Sequence, residues 1–248
     1  YGNAASQDLA SSQVSLFGGG DDGQVSIPKI PDCEPWNELE KLAKEKDVVG
    51  FYISGHPLDQ FRLELETFCT TTVDQVERFK DRDITIAGIV TSTFVGQSKN
   101  GKSYGRFKLE DYNGSLEISL WGEDFLRHQM YLVKDQFLFV KGKYLQKYQN
   151  APLEFRISQI TLLQDVRKKL AKSLNVHFDL EKVHPDSIGT LERLFTAHNG
   201  PCDLKFSLIS PEDNISLELF SRKFKVDPNN QLLEQLNQMR GIQYKIIA

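Results

Sequence analysis

Five segments rich in branched and aromatic residues follow one another between residues 83 and 163, and they decide the fold of this chain. They are DITIAGIVTSTFVG (83–96), SYGRFKLED (103–111), GSLEISLW (114–121), QFLFVKGKYLQ (136–146) and PLEFRISQITLL (152–163). Their isoleucine, valine, phenylalanine, threonine and tyrosine favour β-strands. Asn100-Gly101 and Asn113-Gly114 lie between consecutive segments and are strong hairpin-turn signals. The stretch therefore predicts five strands in series.

The segment between the third and fourth strands, GEDFLRHQMYLV (122–133), is too charged for a core strand and predicts a short helix. Three strands, a helix and two strands is the element order of an OB-fold β-barrel. We expect an α+β chain in which this five-stranded OB-fold barrel is the central domain, at residues 80–166. Such barrels bind oligonucleotides on the face of strands 2 and 3 and with the loops 1–2 and 4–5.

Alternation along the second strand places basic and aromatic side chains on the face opposite Phe107 and Leu109. In the third strand, Leu116, Ile118 and Leu120 are predicted to point inward, opposite Trp121. The predicted single-stranded DNA contacts on the outer face and in the two loops are Lys99, Lys102, Tyr104, Arg106, Lys108, Lys147 and Tyr148. An alternative interpretation is that these are ordinary solvated side chains, and Glu117 nearby weakens the positive patch.

The segments on either side of the barrel differ in composition. Residues 1–34 are rich in Gly, Ser, Gln and Asp, which predicts a flexible linker. Within it, Gln13-Val14-Ser15-Leu16-Phe17 carries an apolar pair that a partner would have to cover. Residues 35–79 predict a helical connector that begins at Pro35.

Residues 167–248 predict a second domain. LNVHFDL, CDLKFSLIS, ISLELFS and YKII have the character of strands, while HPDSIGTLERLFTAHNG and NNQLLEQLNQMRG have helical character. Their order is βαββαβ, that of a small two-layer sandwich such as the ferredoxin-like fold.

Composition limits the classes of function. A formal net charge of −4 excludes a strongly basic nucleic-acid binder, so any such binding depends on a local patch. Cys33, Cys69 and Cys202 are far apart, which supports neither a zinc site nor a disulfide framework and favours a reduced, cytoplasmic location. The chain has no apolar run of membrane-spanning length, so we expect no membrane partner. Because it starts with tyrosine, we expect a piece of a longer protein.

Catalytic motifs are missing from the sequence. It contains no P-loop, no G-x-G-x-x-G and no nucleophile elbow. Asp81 and Asp83 stand at the entry to the first strand, where charge is ordinary, rather than on adjoining strands as a two-metal site requires. We therefore predict no catalytic residue and no metal ligand.

EKDVVGFYISGHPLDQF at 45–61 resembles the stretch ahead of the OB domain in the bacterial replicative DNA polymerase III alpha subunit. In that family a clamp-binding motif, a glycine-rich linker, a G-F-Y-x-S-G-H-P-L segment and an OB barrel follow in this order, often with a further C-terminal domain. The resemblance implies that Gln13, Leu16 and Phe17 contact the sliding clamp (beta subunit) and that residues 167–248 bind the clamp-loader tau subunit. It also implies a polymerase active site upstream that needs Mg²⁺, and no cofactor in this fragment.

Two other classes of protein remain possible from the sequence. One is a stand-alone OB-fold protein that coats single-stranded DNA, which would need wider aromatic coverage of the barrel face. The other is the anticodon-binding OB domain of an aminoacyl-tRNA synthetase, which lacks both the clamp motif and the G-H-P-L segment.

Overall fold

The computed structural model describes residues 33–146, 153–184, 187–210 and 215–248. The described residues from Leu42 onward form one compact unit. In the residues before it, the Glu40 N–H donates to Asn37 Oδ1 (2.8 Å), and the Asn37 N–H donates to the Glu40 carboxylate (3.3 Å). This reciprocal pair forms a capping box at the start of the first helix, α1 (Glu38–Val49).

The central domain contains the five predicted strands and the predicted helix. The strands are β1 (Asp83–Gln97), β2 (Ser103–Glu110), β3 (Ser115–Trp121), β4 (Phe137–Gln146) and β5 (Leu153–Leu162). They form one antiparallel sheet in the order β3-β2-β1-β4-β5, which confirms the fold class. Among the described residues no ladder joins β3 to β5, so closure of the sheet into a barrel is not recorded.

Strand β1 is shared between the two halves of this sheet. Its first half pairs with β4 from Asp83 to Ile89, and its second half pairs with β2 from Ile89 to Gln97. The register with β2 shifts between Val90 and Ser92, which marks a β-bulge. A bulge adds one residue, bends the strand and changes which residues face the core.

A connector precedes the sheet, and a short helical segment packs against its interior. The connector comprises 3₁₀ turns at Asp59–Phe61 and Val73–Phe79 and helix α2 (Arg62–Phe68), and the segment after β3 comprises helix α3 (Glu123–His128) and a 3₁₀ turn at Gln129–Tyr131. Gly105 in β2 makes this packing possible. A Cβ there would lie 2.4 Å from Leu132 Cδ2 and 2.7 Å from the Phe125 ring, so only glycine lets the segment contact the strand directly.

Residues 163–248 form helix α4 and a second sheet with two helices. The elements are α4 (Leu163–Leu170), β6 (Ser173–Asp179), α5 (Ser187–Ala197), β7 (Asn199–Ser210), β8 (Ile215–Val226), α6 (Asn230–Gln238) and β9 (Ile242–Ile247). The predicted βαββαβ order of elements is confirmed. The sheet order is β8-β7-β6-β9, with β6 and β7 adjacent and parallel. The ferredoxin-like comparison is therefore wrong for the strand order, because that fold is a split βαβ unit and this one is not split.

Two buried clusters stabilise the described chain. The first fills the inside of the five-stranded sheet and includes Ile86, Phe107 and Ile118. The second joins Leu58 of the connector, Phe139 of β4 and Val166 of α4 to the second sheet and its helices. Because one continuous apolar cluster links these elements, the OB domain and the C-terminal sheet pack against each other.

None of the described helices has the length and apolar character needed to cross a membrane.

Candidate nucleic-acid interface

Three adjacent strands place their outward side chains in register. Phe94 of β1 pairs with Arg106 of β2, and Tyr104 of β2 pairs with Trp121 of β3. Directly opposite residues of an antiparallel pair lie on the same face. These four side chains therefore share the outer surface of the sheet, which we call the aromatic face.

The rings of the aromatic face contact one another and remain open to solvent. Tyr104 and Trp121 stack with centroids 4.5 Å apart and an interplanar angle of 17°, and Phe94 lies 5.9 Å from Tyr104. The Arg106 guanidinium lies 5.2 Å above the Phe94 ring. Trp121 is 52% exposed and Phe94 is 49% exposed. Half-exposed rings of this kind are surfaces on which unpaired bases stack.

Positive charge lies along the aromatic face and at one end of it. Lys108 is exposed on β2, two residues beyond Arg106. Lys99 and Lys102 are exposed in the β1–β2 loop, which begins directly after the Gln97–Ser103 pair. Two carboxylates on this face oppose the charge: Glu117 Oε1 lies 3.3 Å from Arg106 Nη1, and Glu110, two residues beyond Lys108 on β2, is paired with Lys46. A cationic aromatic strip with acidic neighbours suits a weak contact with a single strand.

The β1–β2 loop is the tight turn that Asn100-Gly101 predicts. The Ser98 N–H donates to the Lys102 carbonyl (2.8 Å), and Gly101 has φ of +70°. Glycine adopts this left-handed conformation without the steric cost that a Cβ adds. The turn fixes the positions from which Lys99 and Lys102 extend.

The structure thus brings Tyr104, Arg106 and Lys108 onto one face and places Lys99 and Lys102 beside it. The other predicted site residues, which are Gln13, Leu16, Phe17, Lys147 and Tyr148, lie outside the described residues. A role in binding stays a prediction for all of them.

Two side chains of the aromatic face were not among the predicted contacts. Trp121 could have been found, because it alternates with the inward residues Ile118 and Leu120 of β3. Phe94 could not be found in this way. Simple alternation from Ile84 and Ile86 directs Phe94 into the core, and the bulge after Val90 turns it outward.

The G-F-Y-I-S-G-H-P-L segment attaches the connector to the turn between β2 and β3. The His56 ring lies 4.9 Å from the Tyr52 ring and 4.4 Å from the Tyr112 ring. The Asp59 carboxylate accepts hydrogen bonds from the Tyr112 hydroxyl (2.8 Å) and from the backbone N–H of His56 (2.7 Å). Burial lowers the pKa of His56, which favours the neutral imidazole. The segment thus has a packing role, in which the His56 ring lies between the rings of Tyr52 and Tyr112.

Lys46 extends this contact to helix α1. Its ammonium lies 4.7 Å from the Tyr52 ring centroid and forms an ion pair with Glu110 at the end of β2. The ion pair ties the last turn of α1 to the OB sheet, so the connector packs against the β2–β3 end of the sheet.

Among the described residues, no group of three or more His, Cys, Asp or Glu side chains could hold a metal ion.

Comparison with known proteins identifies two regions of the chain. Residues 84–163 match the family model of an OB-fold nucleic acid binding domain. Residues 174–247 match the family model of the DNA polymerase III alpha subunit, C-terminal domain. The chain is a relative of the DNA polymerase III alpha subunit. The resemblance inferred from residues 45–61 is confirmed.

Curated DNA polymerase III alpha subunits align with most of this chain. The protein of Neisseria meningitidis serogroup B is 31% identical over 246 residues, which covers 96% of this chain and 21% of the relative. The proteins of Pseudomonas aeruginosa and Escherichia coli K12 are 29% and 25% identical and cover 82% and 85% of this chain. The chain spans 17% and 18% of the length of these two relatives.

Proposed function

We propose that this chain is a non-catalytic part of a bacterial replicative DNA polymerase that contacts single-stranded template DNA through the aromatic face. The exposed rings of Phe94 and Trp121, with the partly buried Tyr104 between them and Arg106 beside them, carry this proposal. The polymerase active site and its Mg²⁺ belong to the part of the relatives that this chain does not cover. The similarity to the alpha subunit supports this function over that of a stand-alone single-strand coating protein.

Two partner contacts complete the proposal. Gln13, Leu16 and Phe17 bind the sliding clamp, and the C-terminal domain at 167–248 binds the clamp-loader tau subunit. Both rest on the order of segments shared with the alpha-subunit family. In this function the clamp and tau contacts hold the polymerase at the fork, while the aromatic face steers the template strand.

Replacing Arg106 and Lys108 together with alanine is expected to weaken single-stranded DNA binding without lowering the melting temperature, because neither side chain lies in the core. Each phosphate contact with a single strand contributes about 0.7 to the slope of log K against log salt. The double variant should therefore reduce that slope by about 1.4. Fluorescence anisotropy with a labelled oligothymidylate over a salt series measures both effects.

The matched control removes the same charge elsewhere, with Lys172→Ala and Lys245→Ala. Both lysines are exposed and lie outside the OB sheet. Equal losses of affinity in the two double variants would mean that overall charge, rather than the aromatic face, determines binding.

Replacing Leu16 and Phe17 with alanine is expected to abolish clamp binding while leaving DNA affinity unchanged. Complete burial of each side chain stabilises a complex by about 1.5–3 kcal/mol. A short flexible peptide binds in the micromolar range, where the binding free energy is about −8 kcal/mol. Removing both anchors should therefore weaken binding more than a hundredfold.

Surface plasmon resonance with the cognate clamp measures the effect of these substitutions. A scrambled peptide of residues 11–19 provides the control. If it bound the clamp as tightly as the natural peptide, the assignment of this motif would be wrong.

A further inference from the structure

Strand β8 is the end strand of the second sheet. It pairs with β7 on one side, and no other strand among the described residues pairs with its outer edge. An end strand presents unpaired backbone N–H and C=O groups to which another chain can add. Proteins usually protect such edges with bulges, prolines or charged side chains.

The second half of β8 is protected in this way. The register with β7 shifts between Asp203 and Lys205, so β8 is irregular beyond Phe220. Charged side chains also project from this half, and they include Arg222, Lys223 and Lys225. A strand could not continue along β8 past this point.

The first half of β8, up to Phe220, is unprotected. Its register with β7 is regular from Ile215 to Phe220, and it contains neither proline nor lysine. Three large apolar side chains are exposed there: Leu217 at 48%, Leu219 at 42% and Phe220 at 68%. We call residues 215–220 the open edge.

Apolar side chains flank the open edge on both faces of the sheet. Leu217 and Leu219 pair with Leu208 and Phe206, and the Phe206 ring lies 6.0 Å from the Phe195 ring of helix α5. Phe220 is on the opposite face. An added strand would cover the backbone edge and apolar surface on both faces at once, which is the basis of recognition by strand addition.

Charge determines which kind of strand fits. Glu218 is exposed at the centre of the open edge and forms no ion pair among the described residues. A second copy that paired antiparallel about this centre would place two Glu218 carboxylates directly opposite each other, and like charges in that position are destabilising. A different strand with a basic residue opposite Glu218 gains an ion pair instead.

We propose that the open edge binds an extended segment of a partner protein, which adds to the sheet as a further strand. The segment carries apolar residues that contact Leu217, Leu219 and Phe220, and a basic residue opposite Glu218. This surface is on the C-terminal sheet, and the proposal does not depend on the DNA contact of the aromatic face.

The test uses the full 248-residue chain and a capped nine-residue peptide of alternating valine and threonine with one central arginine. Isothermal titration calorimetry should show binding, and hydrogen exchange should show new protection in residues 215–220 alone. The substitutions Leu217→Lys and Leu219→Lys together should weaken binding at least tenfold. Met130→Lys, at a residue that is 67% exposed elsewhere, is the matched control and should leave binding unchanged.

A charge exchange tests the role of Glu218. Glu218→Lys should weaken binding of the arginine peptide and strengthen binding of a peptide with a central glutamate. If both peptides bind the native chain equally, or if neither binds, the proposal is wrong. It is equally overturned if sedimentation shows a dimer that Leu217→Lys and Leu219→Lys dissociate. Hydrogen exchange on the free chain gives a further test. If residues 215–220 were already protected there, and deletion of residues 1–32 removed that protection, the occupant would be a segment of this chain and the proposal would be wrong.

Discussion

Replacing Arg167 with alanine is expected to lower the free energy of unfolding by about 3 kcal/mol, although the sequence places Arg167 only at the predicted boundary between two domains. Its side chain is 10% exposed and forms an ion pair with Glu64 of α2, which is 4% exposed. Removing one partner of a buried pair leaves an uncompensated charge and costs about 3–5 kcal/mol.

The structure favours the lower end of this range. A cleft of about 500 Å³ borders the pair and is lined by Gln60, Gln164 and Asp227, among others. Water in this cleft could solvate part of the Glu64 carboxylate in the variant. The other contacts of Arg167 are also lost, because its Nη1 donates to Asn230 Oδ1 (2.7 Å) and the Pro228 carbonyl (3.0 Å). These bonds tie α4 to the start of α6.

Lys169→Ala is the matched control for Arg167→Ala. Lys169 is on the same helix, and its Nζ lies 3.3 Å from Asp165 Oδ2, but both side chains are about half exposed. Exposed ion pairs of this kind contribute little to stability, so Lys169→Ala should change the free energy of unfolding by less than about 0.5 kcal/mol. Urea unfolding followed by circular dichroism measures both variants. Equal urea midpoints for the two variants would show that the buried Arg167–Glu64 ion pair stabilises the fold no more than the exposed Lys169–Asp165 pair does.

A double variant separates the charge compensation by Arg167 from its hydrogen bonds to Asn230 and Pro228. With Glu64→Leu and Arg167→Met, no unpaired carboxylate remains buried, and most of the lost stability should return. Recovery of stability would show that Arg167 stabilises the fold mainly by compensating the buried charge of Glu64. If the double variant were as unstable as Arg167→Ala, the hydrogen bonds to Asn230 and Pro228 would be the larger contribution.

The sequence predicts local structure well in this chain because the signals are themselves local. Asn100-Gly101 predicts a turn that depends on the φ of Gly101, and the structure contains that turn. Alternation separates Phe107 from Arg106 and Lys108 because side chains of a strand point to opposite faces in turn. The face of β2 could therefore be predicted without knowing which strands pair with it.

Features that depend on distant residues could not be predicted. The bulge that turns Phe94 outward arises from the pairing of β1 with β2, and the sequence of β1 alone contains no sign of it. The burial of Arg167 depends on Glu64, which is more than 100 residues away. The adjacent parallel pairing of β6 and β7 likewise depends on how the whole second sheet assembles.

The largest expected effect on DNA binding comes from Trp121→Ala. Stacking of one base on an aromatic side chain contributes about 1–3 kcal/mol, and 1.4 kcal/mol corresponds to a tenfold change in affinity. Loss of the exposed Trp121 ring should therefore weaken binding of an oligothymidylate by about tenfold to a hundredfold. The salt dependence should not change, because no phosphate contact is removed.

Tyr104 and Trp121 are expected to act as a unit. Their stack at 4.5 Å holds each ring in place, so either substitution alone disturbs the other ring. A double-mutant cycle should show that Tyr104→Ala costs less in the Trp121→Ala background than in the native chain. Simple additivity would mean that the two rings contact DNA independently.

Phe220→Ala provides the control for these aromatic substitutions. Phe220 is also an exposed ring on a strand, but it lies on β8 in the second sheet, so its loss should leave DNA affinity unchanged. Anisotropy titrations at one salt concentration compare the variants, and melting temperatures confirm that each is folded. A folded Trp121→Ala variant that bound DNA as tightly as the native chain would show that bases do not stack on the aromatic face. Lys99, Lys102, Arg106 and Lys108 would then contact the phosphates without any base stacked on this sheet.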